Sequence, residues 1–210
     1  MHSNKRLVNL YKISLFKMAL QKITKEEIIR IGIDLFRKQG YNRTSMNDLA
    51  QACGLQKGSF YHYFSSKEAL MSAILDTLYQ YYRNKIFSLA YDQTKSPVER
   101  MEIFFKKQEP VFTQELTGCL FGNITLETIS MEEEFKSVIQ AFFSDWIEAF
   151  KQIFLDDGNA DEEALVLARQ SVMEIEGALM LMRVFADAAL LRNACDLVLK
   201  KLKQASYTIH

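Results

Sequence analysis

The sequence predicts an all-α protein in two parts, a small basic N-terminal unit and a larger acidic one, and three observations carry that expectation. Apolar residues make up 49% of 210, with only two prolines and eight glycines, a composition that favours helices throughout. Residues 1–67 hold twelve Lys/Arg against four Asp/Glu, whereas the remainder holds fourteen against twenty-two, so a zero net charge hides a basic head on an acidic body. That asymmetry is the pattern of a nucleic-acid-binding module joined to a unit that does not bind nucleic acid. The third observation is Thr44 to Leu70, TSMNDLAQACGLQKGSFYHYFSSKEAL, whose order reads as helix, glycine turn, helix, then the start of a long helix.

In chain order, residues 1–21 form an extension that is either a basic arm adding phosphate contacts or an upstream segment with no role. A first helix is expected from Thr24, which with Glu27 has capping-box spacing, to Gln39, where Gly40 stops it. Ile28, Gly32, Leu35 and Phe36 form its inward stripe. Thr44 and Ser45 are N-cap types, and Ser45 with Asp48 repeats the box spacing at the head of a short helix that ends at Gly54. In the next segment Phe60 and Phe64 share a face at i and i+4, leaving Lys57, Ser59, Tyr61, His62 and Tyr63 mainly on the others. Aromatic-rich runs are usually core and a Lys-Gly-Ser is usually a solvated turn. Their combination on one helix after a glycine turn points instead to a DNA groove: lysine neutralises phosphate, hydroxyls donate to phosphate oxygens, His62 donates or accepts, and Gly58 permits close backbone approach. Ser66 caps the following helix, which carries Lys67 in its first turn and keeps an apolar face through Leu70, Ile74, Leu78, Tyr82 and Ile86 to about Ala90.

This stretch resembles the TetR-type (TetR/AcrR) transcriptional regulators. The shared pattern is Thr44, Leu49-Ala50, Gly54, Lys57-Gly58-Ser59-Phe60-Tyr61-His62-Tyr63-Phe64 and Lys67-Glu68-Ala69-Leu70, about a quarter of the chain. Gln56 departs from the Ser often found there, so the usual cap of the recognition helix is missing, and Gln56 is free to pair with an adenine edge. The resemblance implies a homeodomain-like three-helix head over residues 22–67 and a ligand-binding and dimerisation body over 68–210. Its implied DNA contacts are Thr44, Gln56, Lys57, Gly58, Ser59, Tyr61, His62, Tyr63 and Lys67.

In the body, Ser96-Pro97-Val98-Glu99 is a helix start, and Pro110 is expected to kink or end that helix. Gly118-Cys119-Leu120-Phe121-Gly122-Asn123 forms a break before a short helix reaching about Ile129. Ser130 with Glu133 opens a helix whose Phe135, Phe142, Trp146, Phe150 and Phe154 are mostly core. The helix from about Glu162 to Ala186 is apolar on almost every side and must be buried on two faces, and a last helix after Asp187 presents Leu191, Cys195, Val198 and Leu202. Such excess apolar surface implies a partner, and the resemblance makes it a second copy meeting Leu179, Leu191, Cys195, Val198 and Leu202 in a four-helix interface.

A Phe- and Met-rich helical body describes a core as well as a pocket. The resemblance favours a pocket for an apolar or aromatic effector, with Phe104, Phe112, Cys119, Phe121, Asn123, Glu127, Phe143, Trp146, Met173, Glu176, Met180 and Arg183 as its candidate lining. Glu176 and Arg183 lie two turns apart, bracketing a polar ligand or forming an ion pair. Cys119 matches the Gly-Cys-x-x-Gly-Asn of a TetR subgroup responding to drugs or electrophiles, while the absence of Lys, Arg or His within five residues favours an inert thiol. Histidines at 2, 62 and 210 cannot form a body active site, and the three scattered cysteines suggest neither zinc nor disulfides, so no enzyme, metal or cofactor is expected. No run approaches a membrane span, and a cytoplasmic protein is expected. The reading is a dimeric repressor on a palindromic double-stranded operator, released by a small molecule. The alternative is a DNA-bound protein-interaction factor with no effector.

Overall fold

A computed structural model describes residues 23–128 and 133–205. The N-terminal extension and the expected Ser130 cap lie outside the described residues. Among these residues the secondary structure is helical throughout, and no helix is long and apolar enough to cross a membrane.

Helix α1, Lys25–Gln39, opens on a complete capping box: Glu27 N–H donates to Thr24 Oγ1 at 3.1 Å and Thr24 N–H to Glu27 Oε2 at 2.8 Å. It buries Ile28, Gly32 and Phe36 and stops at Gly40, whose φ of +82° no side chain adopts cheaply. Helix α2, Met46–Ala52, carries the same box on Ser45 and Asp48, and Gly54 at φ +66° turns the chain into α3, Lys57–Tyr61. Gln56 makes no side-chain cap bond to α3, as its departure from Ser implied. Phe60 and Phe64 are buried, tying α3 to the head's core.

Helix α4, Lys67–Lys85, joins head to body and is shorter than its sequence pattern suggested. It breaks at Ile86 into a 3-10 turn over Phe87–Tyr91 instead of running to Ala90. The neighbours Ile86 and Phe87 are both buried, and the tighter turn sets Phe87 against the Tyr82 and Phe142 rings, 5.6 and 5.4 Å away between centroids. Helix α5, Pro97–Thr113, begins on the Ser96–Glu99 box and passes through Pro110 for three more residues before the chain turns at Glu115 and Leu116, both at positive φ.

Helix α6, Leu120–Thr128, precedes the central α7, Glu133–Asp156, whose Phe135, Phe142, Trp146, Phe150 and Phe154 are fully buried. Phe104, Phe112, Phe121 and Trp146, expected to line a pocket, belong to this aromatic core: Phe121 stacks on Phe142 at 3.8 Å, and Phe104 and Phe112 pack on Trp146. They fill space that a ligand would need. Helices α8, Asp161–Phe185, and α9, Ala189–Ala205, pair antiparallel, with α8 against α7 and α9 against α5.

The two faces of α8 are as apolar as expected, but the residues assigned to a second copy are on the inner one. Leu179, Leu191, Val198 and Leu202 are 2% exposed or less, and Cys195 is half-buried. Leu191, Val198 and Leu202 have the spacing of the stripe that seats α9 in its own protomer, and Leu179 is packed inside that same protomer. The outward apolar residues are Val166, Met173, Met180, Leu181, Val184 and Phe185 on α8 and Leu197 on α9.

Candidate nucleic-acid interface and body cavity

Gln56, Lys57, Gly58, Ser59, Tyr61 and His62 are all exposed around α3, while Tyr63 is half-buried against the head's core. A Cβ on Gly58 would meet no atom of the protein. Internal packing therefore does not require glycine there, whereas a backbone seated close to a phosphate or groove does. Between this helix and the starts of α2 and α4 lies a polar hollow of about 380 Å³ lined by Arg43, Ser45, Tyr61 and Ser66 among others. Its lining holds the cations Arg43 and Lys67 beside the carboxylate of Glu68, while the Asp48 carboxylate already meets the start of α2. Arg43, exposed beside it, escaped the sequence reading, and a cation two residues before the Ser45 N-cap was the available signal.

Two expected DNA contacts are taken up inside the head. Thr44 is buried, and its hydroxyl donates at 2.6 Å to the carbonyl of Gly40, an acceptor the α1 stop leaves needing a partner. Lys67 Nζ donates to the Tyr41 carbonyl at 2.9 Å and lies over the Tyr41 ring, 4.1 Å from its centroid. Both side chains brace the loop that positions α2.

The body contains a cleft of about 650 Å³, the size of a drug-like ligand, between α6, α7 and α8. Of the expected lining, Cys119, Asn123, Phe143, Glu176, Met180 and Arg183 are present. Gly118, Gly122, Leu126, Leu179 and Val184 join them, brought in by a helix crossing that sequence spacing does not encode. Met173 is on the outer face of α8, one turn past the cleft's end. The mouth is rimmed by Leu126, Met180 and Val184, which are 82%, 56% and 68% exposed.

Glu176 is half-buried at the cleft's floor, with Oε1 inaccessible to solvent and unpartnered, and its other oxygen lies where a Cβ on Gly122 would be 2.5 Å away. Burial pushes its carboxyl up to about 7. Beside it the Cys119 thiol is driven well above its usual range, first by burial and then by the Glu176 charge. A thiol held protonated is a poor nucleophile, so the inert reading of Cys119 is the better supported one. Arg183 does not pair with Glu176; its Nη1 donates to Asn123 Oδ1, while Asn123 Nδ2 donates to the Thr117 carbonyl at 2.9 Å.

Glu127, assigned to the lining, serves a different purpose one turn farther along α6. Its Oε2 accepts the Asn42 N–H at 2.9 Å in the loop leading to α2, and a Cβ on Gly40 would lie 2.7 Å from its Oε1. Further links join head and body, among them the Lys38–Glu115 pair at 2.9 Å, Arg37 Nη1 to the Val111 carbonyl at 3.5 Å and the Tyr41 ring against Phe135 at 5.7 Å. The short α6 thus forms cleft wall at Gly122, Asn123 and Leu126 and touches the DNA-binding head at Glu127.

Comparison with known proteins agrees with this geometry. Residues 28–74 match the family model of the bacterial regulatory proteins of the tetR family, and residues 97–196 match the C-terminal domain of LmrA/YxaF-like transcriptional regulators. The uncharacterized HTH-type transcriptional regulator YxaF of Bacillus subtilis (strain 168) is 29% identical over 160 residues, 75% of this chain and 84% of its own. The HTH-type transcriptional repressor DhaR of Mycobacterium sp. (strain GP1) is 26% identical over 132 residues, 63% of this chain and 66% of its own. A crystal structure of a TetR transcriptional regulator from Legionella pneumophila superposes with a TM-score of 0.79 at 26% identity, over 87% of this chain and 98% of that one. With helix-turn-helix head and helical body matched in order, the chain belongs to the TetR family of bacterial transcriptional regulators.

Proposed function

We propose that the protein is a dimeric, ligand-responsive repressor whose two heads occupy successive major grooves of a palindromic operator and whose effector, bound in the α6–α8 cleft, releases it. The observation that carries this reading is the placement of α6, which is cleft wall over one turn and holds the Asn42 N–H through Glu127 in the next. A ligand that displaces α6 must strain or break that bond, and with it the seat of α2. The break in α4 at Ile86 makes α6 a more direct link than the long helix alone.

Dimerisation rests on the outer stripe of α8. Met173, Gly177, Met180, Leu181 and Val184 follow helical spacing, and Phe185 and Leu197 extend the patch, an apolar area that a monomer would leave in water. Gly177 has open space above its Cα, where a second helix can approach closely. Since Met180 and Val184 also rim the cleft, a second copy on this stripe would cover part of its mouth. The relatives named as repressors support that sign of control. The test is an operator selected by the protein from random duplexes, titrated with and without compounds that raise its melting temperature. Stabilising compounds should weaken operator binding, and a set of stabilisers that leave it unchanged would contradict the proposal.

A further inference from the structure

Apart from Arg183, whose remaining N–H donors face solvent at the mouth, the polar side chains of the cleft wall have their hydrogen bonds taken up locally except one. Asn123 is used at both ends, by the Thr117 carbonyl and by Arg183, and the Thr125 hydroxyl donates to the Phe121 carbonyl at 2.7 Å. Arg183 itself is exposed at the mouth. Glu176 alone offers a buried acceptor, Oε1, with no partner.

The groups around Glu176 contain no cation that could serve it. From α6 it meets Gly122, which leaves room for the carboxylate and supplies no charge; from the loop before α6 it meets the Cys119 thiol. The Tyr82 phenol of α4 feels its charge but donates its hydrogen to Gln108 Oε1 at 2.7 Å, and α7 contributes Phe143 to the wall. On its own helix Arg183 is two turns away and bound to Asn123. An unmet carboxylate in an otherwise apolar cleft is costly to maintain, and a ligand that meets it recovers that cost on binding. The acidic excess of residues 68–210 also biases the body's field toward cations.

We infer that the effector is an apolar organic cation, a hydrophobic frame bearing one protonated nitrogen whose N–H is received by Glu176. This rests on the ligand-responsive reading above and adds the ligand's charge to it. The nitrogen makes a charge-assisted hydrogen bond with Oε1, and the frame lies against Phe143, Leu179 and Met180 toward the mouth.

The test uses the full chain and three matched probes, 4-phenylbenzylamine, 4-phenylbenzyl alcohol and 4-phenylbenzoate, followed by the fluorescence of Trp146, the only tryptophan, whose ring is 6.2 Å from that of Phe143. The amine should bind about tenfold or more tighter than the alcohol, with the carboxylate weakest. In Glu176→Gln the amine and alcohol should become equal within about twofold, while Arg183→Ala should keep the amine's preference. Equal binding of amine and alcohol to the wild type, a preference for the carboxylate, or an amine preference that survives Glu176→Gln each overturns the charge assignment and leaves an effector site standing. Failure of all three to bind at millimolar concentration also overturns it, and a compound screen against operator release then decides the effector reading separately.

Discussion

Replacing Glu176 by Gln keeps the shape of the half-buried side chain and removes its proton equilibrium, so the two proteins should differ in how stability depends on pH. The folded carboxyl titrates near 7 because the desolvation of its charge outweighs the relief given by the Cys119 thiol, with Oε1 left unpartnered, against a reference of 4.5 in the unfolded chain. Between those values the native state holds the extra proton, and stability therefore falls as pH rises. The interval corresponds to about 3 kcal/mol, at 1.36 kcal/mol per unit. Glu176→Gln should thus gain about 3 kcal/mol on the wild type between pH 4.5 and pH 8.5, with most of the change between pH 5 and 7.5. Acids held low by capping, Asp48 and Glu99, oppose this trend but are common to both proteins and cancel in the difference. The Cys119 thiol is held protonated across the window. Urea unfolding followed by circular dichroism at fixed protomer concentration gives the two stability curves. A difference between them that stays constant with pH to within about 0.5 kcal/mol would refute the claim that this carboxyl is buried and unmet.

Other perturbations separate the roles assigned to the head, the joint and the outer face. Lys57→Ala should weaken operator binding and lower the slope of log affinity against log salt by about 1, whereas Lys67→Ala should leave that slope unchanged and reduce the melting temperature, because its ammonium braces Tyr41. Glu127→Ala removes an acceptor from the Asn42 N–H; it should preserve effector affinity while reducing the effector's influence on operator binding by about tenfold, measured as the ratio of operator affinities with and without ligand. Leu181→Asp should give helical monomers by sedimentation and circular dichroism, since pairing would bury a charge in each copy at a cost on the order of 3 kcal/mol or more. Val198→Asp, by contrast, places that charge in the protomer's own core and should lose helical signal.

The parts of this molecule that depend on local chemistry were legible in the sequence. Three capping boxes, the Gly40 and Gly54 turns and the Phe60–Phe64 face all specify structure within four residues, and each formed as its spacing required. What depended on how helices cross was not. Leu191, Val198 and Leu202 make an apolar stripe at helical spacing, and spacing cannot tell a stripe that meets the home protomer from one that meets a copy. The exposed Met180, Val184 and Phe185 stand beside buried Leu179 and Met182, and only the packing of α8 on α7 decides which side is covered. Among aromatic residues the same limit holds: Phe143 reaches the cleft while Phe142 and Trp146, one and three positions away, fill the core. Glu127 follows Asn123 at i+4, yet one turn of α6 carries it out of the cleft and onto the head.

The measurement that bears most directly on the account is the affinity of a fluorescent operator duplex for the protein, at constant salt, with and without a saturating ligand of the cleft. Occupancy of the α6–α8 cleft should weaken operator binding, and a ligand favouring the DNA-free form about a hundredfold can weaken it by up to that factor, about 2.7 kcal/mol. The reciprocal titration must show the operator weakening the ligand by the same factor. A ligand placed in the cleft by its contact with Glu176 that leaves operator affinity unchanged would contradict the coupling, even with the fold and the DNA-binding face correct.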